Sequence, residues 1–142
     1  MSASDERAPR RVLFLCTANS ARSQMAEGLA RHLAGDRLDI ASAGSAPASV
    51  HPLAIEVMAE RGIDISGHRS KHLEELLDSA FDDVVTVCDR AATNCPVFPG
   101  PARRHHWPLE DPAAAPSEGR RAAFLRVREE LEERIEAWLD AS

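Results

Sequence analysis

The chain predicts an α/β fold: one domain built on a parallel sheet of four strands with helices against it. Three observations carry this reading. Short apolar runs alternate with amphipathic stretches of helical length through all 142 residues, the pattern that strand–helix crossover units produce. The first run, Val12-Leu13-Phe14-Leu15, is continuously apolar rather than alternating, as in a strand buried on both faces. Gly35, Pro52 and Gly62 fall where a periodic segment must start or stop.

Taken in order, residues 1–10 are polar and read as a flexible N-terminal extension, leaving 11–142 as the domain. After the first strand, Met25, Ala26, Leu29 and Leu33 share one face of a helix over 23–33, and Gly35 stops it. Leu38 to Gly44 reads as the second strand. Pro52 opens a helix at its first turn, with Leu53, Ala54, Val57 and Met58 on one side, and Gly62 closes it. Ser70 is positioned to cap a further helix with Leu73, Leu76 and Leu77 facing inward. Val84-Val85-Thr86-Val87 is the clearest β-branched strand. Residues 89–101 are rich in turn formers, and Ala102 to Trp107 supplies a short fourth strand. Ser117 caps a long final helix whose Phe124, Val127, Leu131, Ile135 and Trp138 form an apolar stripe, read as core.

Composition excludes several classes of function. A hydrophobic content of 44% argues against disorder, and a net charge of −6 gives no electrostatic support for a nucleic-acid or anionic-membrane partner. No apolar run approaches a membrane span, and the polar start offers no signal core, so a cytoplasmic protein is expected; a monomer is the separate expectation for its assembly. Three cysteines in a reducing compartment suggest reactive or metal-binding roles more than a disulfide scaffold.

The most informative segment is Cys16-Thr17-Ala18-Asn19-Ser20-Ala21-Arg22-Ser23, between the first strand and the first helix. A loop entering a helix N-terminus turns its N–H groups inward and forms a nest for an anion. Here one end of that nest carries a thiol and the other a guanidinium. An electropositive loop favours thiolate over thiol, and a planar guanidinium can hold two oxygens of a tetrahedral oxyanion. The plain alternative is a small buried cysteine and a solvated arginine; the placement between strand and helix favours the chemical reading. No nucleotide-binding G-x-x-x-x-G-K-[ST] pattern occurs.

In a parallel sheet, ligands bind beyond the carboxyl ends of the strands. Cys16, Cys88 and Asp111 each follow a strand, so all three should gather at one edge. Cys88 and Cys95 bracket a polar, loop-like segment; either alone reads as a buried small residue, and together they read as a pair able to approach if the segment bends. Zinc on these cysteines with His105 and His106 is disfavoured, because adjacent strand residues point to opposite faces. Asp111, before Pro112, reads either as a turn aspartate or as a general acid beside the anion site.

These residues resemble a known family. Cys-x5-Arg-Ser near the N-terminus with a late Asp-Pro loop is similar to the low-molecular-weight protein-tyrosine-phosphatase fold. Cys16 to Glu27, Ser42-Ala43-Gly44, Val85 to Cys88, Asn94-Cys95-Pro96, His106-Trp107 and Asp111-Pro112-Ala113 resemble its thioredoxin-coupled arsenate reductases. The resemblance spans Arg11 to Leu139, and the three cysteines are its most specific part. It implies a four-stranded parallel sheet flanked by helices, with arsenate as substrate, thioredoxin as reductant and no cofactor. It further implies that Cys16 attacks arsenate while Arg22 and the amides of Thr17, Ala18, Asn19, Ser20, Ala21 and Ser23 hold its oxygens. Asn19 and Ser23 would help set the thiolate, and Asp111 would protonate the leaving hydroxyl. Cys16, Cys88 and Cys95 would act in sequence as a disulfide relay. Ala18 and Ala21 replace glycine and cysteine of some relatives.

No metal is expected. Potassium-using relatives place oxygen ligands at positions matching Asn19, Glu27 and Ser42 and an acidic residue at that of Lys71. The expectation here is a vestigial cation site, with the chain's only lysine either standing in for the ion or left as a plain solvated residue in the first turn of a helix. Two rivals stay open. One is a phosphatase of the same fold, disfavoured because Ala113 and Ala114 follow the Asp-Pro pair where an aromatic clasp is usual. The other is a non-catalytic arsenic- or metal-binding module.

Overall fold

The computed structural model describes residues 9–88 and 96–141. Four strands, β1 (Arg10–Cys16), β2 (Leu38–Gly44), β3 (Asp83–Thr86) and β4 (Arg103–His106), form one sheet in the order β2-β1-β3-β4. Every pairing is parallel, with Cys16 opposite Gly44, Leu15 opposite Thr86, and Thr86 opposite His106. The strand order reverses direction at β1, so the crevice beyond the carboxyl end of β1 is the ligand position in this topology.

Three helices, α1 (Arg22–Ala34), α2 (Pro52–Glu60) and α3 (Ser117–Ala141), send their buried residues to one face of the sheet. There Val12, Phe14, Cys16 and Val85 meet Met25, Leu29, Val57, Phe124, Leu131 and Ile135 in one packed cluster. The stripe read from the sequence of α3 is core down to Ile135, and Trp138 lies half-buried beside it. Among the described residues the opposite face is closed without an α-helix. Leu13, Leu15, Ala43 and Val84 pack there against Phe81 and Phe98, flanked by Leu73 and Leu76. No helix of the described residues is long and apolar enough to cross a membrane.

Most elements start and stop where the sequence places them. α1 ends at Gly35, whose φ of +58° is left-handed, and α2 begins on Pro52. Two expectations need correction. The helix expected after Ser70 is only a 3-10 turn, Leu73–Leu76, capped by His72 through Glu74 N–H, and Leu77 is exposed. Ser70 is not its cap, because its hydroxyl donates to Asn19 O instead. β1 begins at Arg10, ahead of the apolar run that marks it in the sequence, because Arg10 is anchored.

Its anchor is Asp83, fully buried at the start of β3. Arg10 Nε donates to Asp83 Oδ2 at 2.6 Å and Arg10 Nη2 to Oδ1 at 3.1 Å. Arg103 lies 3.4 Å from the same carboxylate, His105 Nε2 lies 3.0 Å away, and Arg10 also stacks over Trp138. Burial alone would raise this carboxyl's pKa, but the bonds from Arg10 and His105 and the charges of Arg10 and Arg103 outweigh it, and it is held below the usual carboxylate range. A depressed folded-state pKa contributes stability above the unfolded value, lost as pH falls through the folded one. Asp83→Asn should therefore lose about 2–3 kcal/mol at pH 7, below the usual cost of breaking a fully buried pair because Arg10 is part-exposed. Its denaturation midpoints between pH 7 and pH 3 should also fall less steeply than those of the wild type; parallel pH curves would contradict the ion pair's role.

Candidate active site

The loop from Cys16 to Arg22 crosses the carboxyl end of the sheet and closes a cleft of about 200 Å³. Cys16, Thr17, Ala18, Ser20, Ala21, Arg22, Asp111 and Ala113 line it. The loop carbonyls are tied away from the cleft. Thr17 O accepts from Ala46 N–H, Ala18 O from Ala48 N–H, Ser20 O from His51 N–H, and Asn19 O from Ser70 Oγ and Gln24 Nε2. The N–H groups of residues 17 to 21 have no protein acceptor among the described residues. Ala21, the residue before α1, supplies no side-chain cap, so the positive end of α1 also opens here. Five unpaired donors, a helix N-terminus and a guanidinium make an anion site.

Asn19 sets the loop's shape. Its φ of +48° is left-handed, a conformation asparagine tolerates better than most residues. Its Oδ1 accepts from Lys71 N–H at 2.9 Å and from Gln24 Nε2 at 3.1 Å, and its Nδ2 donates to Ser23 Oγ at 2.8 Å and Ser42 Oγ at 3.0 Å. Gly44 lies behind it. A Cβ there would sit 2.4 Å from Thr17 O and 2.6 Å from Cys16 O, both backbone atoms that cannot move aside, so glycine is required.

Cys16 is a free thiol, 2% exposed, with Ser23 Oγ 2.8 Å from its sulfur. Arg22 is buried against the cleft wall; its Nη1 donates to Leu109 O at 3.1 Å, which aims the guanidinium across the cleft. Asp111 approaches from the other side, its Oδ2 4.0 Å from Arg22 Nη2 and its Oδ1 accepting from Ala113 N–H at 3.1 Å. The Asp-Pro turn thus fixes the carboxyl while leaving one oxygen facing the site.

Of the expected thiols, Cys16 and Cys88 share the buried cluster on the helical face. Cys88 is 1% exposed and disulfide-bonded, and its carbonyl accepts from Leu109 N–H. Cys95 lies outside the described residues. His105 and His106 are held apart by Asp83 and Thr86, in line with alternating strand positions.

The expected cation site is assembled differently. Asn19, Ser42 and Glu27 do come together, Ser42 Oγ donating to Glu27 Oε1 at 2.6 Å. Lys71 Nζ donates to Arg69 O at 3.3 Å. Burial lowers its pKa, the charge of Glu27 opposing. The side chain on Glu27 is Arg31, whose Nε and Nη2 donate to Oε2 at 3.0 and 2.8 Å. Gln24, Ser70 and Arg31 carry no signature a linear reading would find; only the Glu27–Arg31 spacing of four is visible, and it suits an ordinary surface pair equally well.

The fold and the thiol–arginine loop define a class, and comparison with known proteins agrees. The chain belongs to the low molecular weight phosphotyrosine protein phosphatase family, whose model matches residues 11–142. It is 42% identical over 127 residues to arsenate reductase 2 of Staphylococcus haemolyticus, covering 89% of this chain and 94% of that one. Among solved structures, an arsenate reductase in its phosphate-binding state superposes with a TM-score of 0.80 at 36% identity, covering 93% of this chain and 98% of that one. A thioredoxin-dependent arsenate reductase of Corynebacterium glutamicum gives 0.74 at 33% identity, with 98% of this chain and 65% of that one covered.

Proposed function

We propose that this protein reduces arsenate to arsenite by thiol chemistry at Cys16, with thioredoxin as the final reductant. The loop N–H groups and Arg22 hold three arsenate oxygens, and Cys16 displaces the fourth as water, its proton supplied by Asp111. Cys88 then attacks the sulfur of Cys16. The As–S bonding pair leaves with arsenic, which departs as arsenite, and a Cys16–Cys88 disulfide holds the two electrons' worth of oxidation. Cys95 attacks Cys88, freeing the Cys16 thiolate, and a thioredoxin dithiol reduces the resulting Cys88–Cys95 bridge.

The observation that carries this reading is Cys88. Phosphate-ester hydrolysis needs a nucleophile, an arginine and an acid, all within one cleft; it has no use for a second thiol. Here a buried, disulfide-bonded cysteine lies two residues beyond β3, in the same packed cluster as the free Cys16. The family description and the phosphate-binding neighbour favour a residual phosphatase activity as second reading. The cleft wall that Ala113 forms offers no ring for an aryl substrate to stack against, so that activity should be weak.

Arsenate-dependent NADPH oxidation with thioredoxin and thioredoxin reductase tests the proposal, with arsenite formed one for one. Brisk hydrolysis of p-nitrophenyl phosphate without NADPH oxidation would make the protein a phosphatase. Asp111→Asn should lower kcat for arsenate by about 10²–10⁴-fold, the usual worth of a general acid, while the KM for arsenate changes little. Unchanged kcat under single-turnover conditions would remove Asp111 from the chemistry.

A further inference from the structure

We propose that Arg31 is a positioning residue for the Cys16 nucleophile, acting through Glu27 and a directed chain of hydrogen bonds that ends on the sulfur. The inference rests on the reading of Cys16 as nucleophile. The chain's polarity follows from counting hydrogens. Arg31 donates two N–H groups to Glu27 Oε2, which leaves Oε1 as the acceptor for Ser42. Ser42, fully buried, gives its only hydroxyl hydrogen to Glu27 Oε1 and can only accept from Asn19 Nδ2. Asn19 cannot flip its amide, because Oδ1 is held by the Lys71 N–H. Its second Nδ2 hydrogen therefore goes to Ser23 Oγ, and the hydrogen of Ser23 is left for Cys16 Sγ. The sulfur receives a hydrogen bond, the arrangement that suits a thiolate.

The same chain carries a liability. Glu27 is 7% exposed, and an uncompensated carboxylate at the back of the loop would oppose both a thiolate and an incoming oxyanion. Arg31 cancels that charge from a half-exposed position, and its Nη2 is fixed by Ile40 O at 2.6 Å. The other groups facing Glu27 do not replace it. His68 Nε2 stands 3.9 Å from Glu27 Oε2, but burial lowers the pKa of the ring, the attraction of Glu27 opposing, with Arg31 and Lys71 adding to the effect of burial. Lys71 donates its Nζ hydrogen bond to Arg69 O, and its charge acts on Glu27 only without direct contact. On the cleft side, Arg22 and Asp111 are common to every variant below.

The test is the pH dependence of iodoacetamide labelling of the Cys16 peptide in the reduced full-length protein, read by mass spectrometry, together with arsenate KM and kcat. Arg31→Met should raise the labelling midpoint by about half to one pH unit, a three- to tenfold loss of thiolate at fixed pH, and raise KM by a similar factor. Arg31→Lys should stay within about twofold of wild type. Glu27→Gln/Arg31→Met removes both charges and should bring the midpoint back. A wild-type midpoint in Arg31→Met, or a double variant shifted as far as the single one, would overturn the proposal and leave Arg31 a structural residue. If Arg31→Met does not fold, Arg31→Gln, which also removes the charge, decides by the same midpoint. Failure of the nucleophile assignment shows separately, as arsenate turnover that survives Cys16→Ser.

Discussion

Cys16→Ser should abolish arsenate reduction and any aryl-phosphate hydrolysis together, each by about 10⁴-fold or more. Everything else in the cleft survives the change: the five free N–H groups, Arg22, Asp111 and the Asn19 scaffold. An oxyanion should still bind. What is lost is the anion, because a serine hydroxyl at neutral pH gives no comparable population of nucleophile. The substitution is nearly isosteric, and Ser23 Oγ remains within hydrogen-bonding reach of the new hydroxyl. Stability should therefore move by less than about 1 kcal/mol. Measuring arsenite release, p-nitrophenyl phosphate hydrolysis and thermal unfolding on one preparation separates loss of chemistry from loss of fold. Substantial turnover of either substrate by a folded Cys16→Ser protein would take the nucleophile's role away from Cys16.

Where a single local interaction decides the backbone, the sequence is a reliable guide. The bounds of β2, the proline start of α2 and the glycine stop of α1 all follow from residue chemistry acting on its own neighbours. So does the meeting of Cys16, Arg22 and Asp111, because a parallel sheet brings the segments beyond its strands to one edge. The segment after Ser70 fails for the opposite reason. Leu73, Leu76 and Leu77 are spaced like a helix, but Ser70 Oγ and Lys71 N–H are both bonded to Asn19, and Gly44 and His72 bridge in strand fashion. These long-range bonds hold the chain extended up to His72, and only one 3-10 turn remains. The same holds for charge. Lys71, as the lone lysine, suggests itself as the available cation, yet the contact with Glu27 is made by Arg31 one turn along α1. The burial of that pair's carboxylate depends on Ser42 of the neighbouring strand, which no reading of α1 alone can supply.

Cys88→Ser should separate the two chemistries of this cleft. Arsenate reduction should fall to background while p-nitrophenyl phosphate hydrolysis stays within about threefold of wild type. Hydrolysis is completed by water attacking the phosphorus of a Cys16 adduct and consumes no electrons. Reduction of arsenic from the pentavalent to the trivalent state takes two, and they come from two sulfurs joining in a disulfide. Without the sulfur of Cys88 the arsenic adduct on Cys16 has no partner, and a serine in its place would offer only a hydroxyl that cannot form an S–S bond. The complementary variant, Cys95→Ser, keeps Cys88 and so should complete about one turnover and then stop. Peptide mapping after arsenate treatment should find Cys16 bridged to Cys88 in that protein and thioredoxin unable to sustain turnover. Equal loss of reduction and hydrolysis in Cys88→Ser would mean that the substitution, at a site 1% exposed in the core cluster, had damaged the fold instead. A thermal unfolding curve on the same sample distinguishes that outcome. Steady multiple turnover by Cys95→Ser would show that the electrons leave from Cys16 and Cys88 directly, and would shorten the relay by one thiol.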